Sequence, residues 1–118
     1  MIYTSYFAQL RNIPENIVPV AICRSCPRFY SGATYSKLAP RKELLSAYKR
    51  GSVDWDQYTK DYYATTLNKL DAIEVIDELS LKYGNDFVLI CWEGRNKDCH
   101  RHLVAEWLRN NGYAVQEW

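Results

Sequence analysis

Net charge is what this chain has least of: fifteen Lys and Arg stand against fourteen Asp and Glu, leaving +1. Such a balance supplies no global field to draw the chain to nucleic acid or to an acidic membrane, so binding of that kind would need a local patch. Long apolar runs are missing too. None approaches the roughly 20 residues of a membrane span. The opening stretch "MIYTSYFAQLRNIPENIVPV" lacks the basic start and continuous apolar region of a signal peptide, so a cytoplasmic protein without a membrane partner is expected. In that reducing compartment the four cysteines are expected as thiols, metal ligands or catalytic groups rather than disulfides. Internal repeats, low-complexity tracts and interdomain linkers are absent as well. With 47% hydrophobic and 25% charged residues, the chain suits one globular domain, residues 1–118, with a single core.

The order of patterns along the chain predicts an α/β fold, a three-layer domain with a mostly parallel sheet of about four strands flanked by helices. "MIYTSYF" and "NIVPVAI" carry the β-branched and aromatic residues of buried strands. "RSCPRFYSGATYSKLAP", punctuated by Pro27, Gly32 and Pro40, reads as a long irregular loop. Three helical patterns follow. The first ends at Gly51; the second starts at Asp54, with Trp55, Tyr58 and Tyr62 on one face. The third starts at Asp71 and ends at Gly84, with Ala72, Val75, Ile76 and Leu79 as its inward stripe. "DFVLICWE" is nearly continuous in apolar residues, as a strand buried on both faces should be. It leads through "GRNKD" into a helix striped by Leu103, Val104, Trp107 and Leu108, which stops at Gly112 before the strand "YAVQEW". Strand, helix and strand make one βαβ unit with a right-handed crossover.

Two of the four cysteines and both histidines fall within Cys91–His102. In an open α/β sheet, ligands bind at the carboxyl ends of strands, where this segment belongs. The turn at Asp98 and Cys99 opens a helix, whose free N–H groups and partial positive charge favour an anion. His100 and Arg101 oppose that dipole, a conflict an anionic ligand would remove, with Arg101 offering a bidentate fork. The helix end and Arg101 would also favour a Cys99 thiolate. If the strand continues to Glu93, Cys91 and Glu93 share a face. The bland readings stand beside these: Cys91 as packing in an apolar strand, Arg101 paired with Glu93 or Asp98, and His102 paired with Glu106 on the helix surface.

Cys91, Glu93, Cys99, His100 and Arg101, with "LVAEWL" after them, resemble domain-of-unknown-function family 488, small α/β proteins with a strand ending Cys-x-Glu and a helix opening Cys-His-Arg. "IYTSYF" is similar to the family's first strand, and Arg24, Ser25 and Pro27 match its Arg-Ser-x-Pro motif. Ile22 stands where that motif has Asp, the Gly-His-Ser turn after the first strand is absent, and "SKLAP" is similar to a short subgroup. The resemblance implies a site at these residues and names no reaction.

Three classes of function follow. The first is an enzyme acting on a small phosphorylated or nucleotide-like, anionic substrate. Cys99 or Cys91 would be its nucleophile, Glu93 or His100 its proton carrier, Arg24 and Arg101 its anion holders, and Tyr6, Phe29 or Tyr30 its base-stacking ring. It needs no cofactor. A cysteine-phosphatase signature is excluded, because Lys97 stands where Arg would have to follow Cys91. The second is a cysteine module: zinc held by Cys23, Cys26, Cys91 and Cys99 or His100, or a Cys91–Cys99 redox pair. The third is a passive binder of anions or nucleotides.

Overall fold

The computed structural model describes residues 1–94 and 97–118; Arg95 and Asn96, in the middle of the polar loop expected before the last helix, lie outside the described residues. Five strands form one wholly parallel sheet: β1 (Ile2–Tyr6), β2 (Val18–Ala21), β3 (Ala33–Thr34), β4 (Phe87–Cys91) and β5 (Val115–Glu117), in the spatial order β3-β2-β4-β1-β5. Four α-helices connect them: α1 (Lys42–Lys49), α2 (Trp55–Thr65), α3 (Ala72–Tyr83) and α4 (His100–Asn110). Among the described residues no helix is long and apolar enough to cross a membrane.

The sheet has one more strand than the sequence pattern suggested. β3 lies inside the segment read as irregular loop, and its two residues are too few to carry an alternation; it pairs with Val20 and Ala21 of β2. The helix boundaries follow local chemistry. Asp54 caps α2 by accepting the Gln57 N–H at 2.8 Å, and Asp71 caps α3 by accepting that of Ile73 at 2.9 Å. Gly84, just beyond Tyr83, has φ of 86°, a conformation that a side chain would strain.

β4 is central and buried along its whole length. Its period of two sends Phe87 and Leu89 into a large cluster with residues of all four α-helices. Val88 and Ile90 enter a smaller cluster with Phe7, Ile17 and Ala21. Chain direction accounts for this division. The β1-to-β2 connection, which contains a 3₁₀ helix at Phe7–Asn12, steps across β4 one way; the β3-to-β4 and β4-to-β5 connections step the other way. If every crossover has the same hand, the first must lie on the opposite face from the helices. Phe7 in the smaller cluster fits that arrangement.

Candidate functional site

The carboxyl ends of β2 and β4 and the start of α4 meet at one mouth, where a cavity of about 810 Å³ opens. Its floor holds Cys91, Cys99 and His100, delivered by the last residue of β4, the N-cap of α4 and the first residue of that helix. The two cysteines are each 4% exposed. The ligand atoms of all three side chains lie within 4.8 Å of one another. Nδ1 of His100 is 3.4 Å from Sγ of Cys91 and 4.0 Å from Sγ of Cys99. Nε2 donates to the Ile22 carbonyl at 2.7 Å, just past the end of β2. That bond holds the ring in one orientation and leaves Nδ1 to exchange a proton with the thiols or to face a metal.

The two thiols divide their roles. A hydrogen bond from Cys91 and, after it, contact with His100 bring the Cys99 thiol down to about 3 against the opposing effect of burial. Cys91, giving that hydrogen bond and buried as well, is pushed far above the ordinary thiol range. The two shifts run in opposite directions, Cys99 toward the thiolate and Cys91 toward the protonated thiol.

Of the other residues expected in the site, Arg24 and Glu93 line the cavity, both exposed. Glu93 does not share a strand face with Cys91, because β4 ends at Cys91 and the chain bends at Trp92 and Glu93. Arg101 is not available to an anion. It is 0% exposed, and its Nε and Nη2 donate to the Glu117 carboxylate, the closest contact being 2.8 Å. The remaining donors reach the carbonyls of Glu93 and Gly94. The neighbours weighed for it in the sequence, the carboxylates of Glu93 and Asp98, lose to one from β5. The Tyr6 ring lies against the Arg101 guanidinium at 5.4 Å, and Tyr30 gives its hydroxyl to the carbonyls of Pro19 and Ala33. Neither tyrosine lines the cavity.

The four cysteines do not form one zinc site either. The Sγ atoms of Cys23 and Cys26 make a separate pair at 3.7 Å, and among the described residues the metal-competent group is confined to Cys91, Cys99 and His100. Burial, more than its contact with Cys26, raises the Cys23 thiol to about 12.

The cavity walls were missed in the sequence as site residues. Trp55 and Tyr58 were recognised as one helical face, but such a stripe reads as core. They stack at 4.9 Å, and Tyr48 of α1 packs on both. These three rings line the cavity together with Trp92, whose indole N–H donates to the Ser25 carbonyl at 2.7 Å. Charges of both signs face the space: Arg24 and Lys49 against Asp54, Glu93 and Asp98. Nothing in local sequence signals the Ile22 carbonyl, which acts through its backbone.

A family model described as the active DUF488-N3 subclade matches residues 7–112, a span that takes in every residue of the cavity floor. No curated protein and no solved structure matches the chain.

Proposed function

The chain belongs to the DUF488-N3a family, and on that premise we propose that it is a cysteine-dependent hydrolase or transferase acting on a small phosphorylated or nucleotide-like compound. The observation that carries this reading is the cavity floor, where two thiols and an imidazole with a fixed Nε2 meet at the end of β4, with Cys99 shifted toward the thiolate. Cys99, its proton passed to His100 Nδ1, attacks the electrophilic atom of the substrate; the bond to the leaving group breaks, the leaving group takes that proton from Nδ1, and water or an acceptor then displaces Cys99. Cys91 holds the thiolate between turnovers. Arg24 and Lys49 supply the cationic side of the cavity for a phosphate, while Tyr48, Trp55 and Trp92 offer flat apolar walls to a base or similar ring. Glu93 at the rim is the second proton carrier. The description of the subclade as active favours catalysis over passive binding.

The test is site-by-site alkylation of the native protein across a pH series, followed by turnover assays on nucleotides and sugar phosphates. Cys99 should react well below the ordinary thiol pKa of about 8.5, and Cys99→Ser should abolish turnover. Ordinary titration of every accessible thiol would remove the covalent reading.

One observation favours a second reading at the same atoms. Two sulfurs and Nδ1 lie mutually within 4.8 Å, close enough that small side-chain shifts would let Cys91, Cys99 and His100 hold a zinc ion on bonds of about 2.0–2.3 Å. The Nε2–H of His100 is held by a carbonyl, as the far nitrogen of a metal-bound imidazole is. Zinc there would activate a water instead of leaving a free thiolate. One equivalent of zinc in purified protein, with Cys91 and Cys99 protected until a chelator is added, would select this reading.

A further inference from the structure

We propose that Cys23 and Cys26 are a reversible dithiol–disulfide couple, distinct from the cavity-floor cluster, that reacts with low-molecular-weight disulfides of the glutathione type and is coupled to the site through the residues it encloses. The two sulfurs are already in contact at 3.7 Å. A disulfide needs about 2.05 Å, so closure is a shift of under about 2 Å within a four-residue turn. Cys23 is buried at 9% exposure, whereas Cys26 is half-buried and within reach of a small disulfide. Cys91 and Cys99, at 4% each, are more enclosed.

What the pair encloses gives it a route to the site. Arg24 and Ser25 lie between the two sulfurs, and both line the cavity. Ser25 holds the Trp92 indole through its carbonyl, next to Cys91. Ile22, immediately before the pair, accepts the His100 Nε2–H. Drawing Cys23 and Cys26 together therefore moves the segment that carries the cavity's arginine, the carbonyl that holds the Trp92 ring and the carbonyl that orients the imidazole.

The exchange balances in two steps. The Cys26 sulfur, its proton released to solvent, attacks one sulfur of the disulfide. The S–S bond breaks, Cys26 carries a mixed disulfide, and one glutathione departs as a thiolate that takes up a proton. Cys23 then loses its proton, attacks the Cys26 sulfur and displaces the second glutathione. Two cysteine thiols are oxidised and one external disulfide is reduced to two thiols; excess reduced glutathione runs the steps backward.

The experiment incubates the whole protein with oxidised glutathione, quenches it in acid, blocks free thiols and maps each cysteine by mass spectrometry. Expected is the loss of two hydrogen atoms within the peptide containing Cys23 and Cys26, with Cys91 and Cys99 left free. Cys23→Ser should stall with glutathione on Cys26, and Cys26→Ser should take none at Cys23. Because Cys23 is buried and its replacement can unfold the chain, the half-buried Cys26→Ser variant decides alone if the other fails. A Cys91–Cys99 bond formed in place of the Cys23–Cys26 bond, no bond at all, or an adduct on Cys23 in Cys26→Ser would overturn the couple. Iodoacetamide should alkylate Cys99 at rates differing several-fold between oxidised and reduced protein, a difference that Cys26→Ser loses. Equal rates in the two forms would overturn the coupling to the site. None of these readouts requires a substrate, so the couple stands or falls apart from the proposed reaction.

Discussion

The hydrogen bond between the two cavity-floor thiols makes stability depend on pH, and the sign can be worked out. Cys99 is lowered from 9.0 to about 3 in the folded chain, so between those values the unfolded chain holds a proton that the folded chain does not. The resulting stabilisation is complete above pH 9, shrinks as pH falls, and is gone below about pH 3. Cys91, moved upward, opposes it only above 9. The stability gap between the native chain and Cys99→Ser should therefore widen from pH 5 to pH 8 in urea unfolding. A gap that is flat or narrows would remove the thiolate from Cys99. The two arginines expected from the sequence to hold an anion, Arg24 and Arg101, separate by burial. Arg24→Ala should leave stability within about 0.5 kcal/mol, since the residue is exposed, while weakening phosphate binding measured by calorimetry. Arg101→Ala should do the reverse in kind, leaving the Glu117 carboxylate without its main partner.

At the scale of elements, one carboxylate ties β5 to both α4 and β1, beside the ladder with β1 and the Arg109 bonds to the Val115 carbonyl. Glu117 accepts from Arg101 and, at 2.6 Å, from the Thr4 hydroxyl. Glu117→Ala would strand a fully buried guanidinium, and a loss of about 3–5 kcal/mol is expected in chemical denaturation. The cap of α2 is worth less: Asp54→Ala should cost about 1 kcal/mol, because only one N–H loses its partner. Elements that announce themselves by period were legible from the sequence: the α3 stripe at Ala72, Val75, Ile76 and Leu79, the apolar run of β4, and the stops at Gly51, Gly84 and Gly112. β3 was not, because two residues form no pattern without the strand they pair with. The partner of Arg101 was hidden for a related reason. Local spacing nominated Glu93 and Asp98, but β5 brings in Glu117 from sixteen residues away in sequence. A charge against the helix dipole was read as a demand for a ligand; an internal carboxylate met it instead.

For the whole molecule, the site was legible as a cluster and illegible as a cavity. Cys91, Cys99 and His100 are near in sequence, so a strand and helix start suffice to join them. The aromatic walls come from α1 and α2 and from the bend after β4, and only the packing of the larger cluster brings these together. Because that cluster joins every α-helix to the sheet, unfolding should be a single transition, with Trp fluorescence and far-ultraviolet circular dichroism giving coincident curves. Separated curves would show that the helices around the cavity melt apart from the sheet. The order of strands also sets a schedule. β1 is synthesised well before its two neighbours, β4 and β5, which begin at Phe87 and Val115. Until translation reaches them, β1 has no native partner on either edge, and loop closure over some eighty residues must precede any reward from pairing. The nascent chain is therefore left with β1 unpaired while some eighty further residues are made, a window in which a chaperone that binds short extended segments would find its target at Ile2–Tyr6.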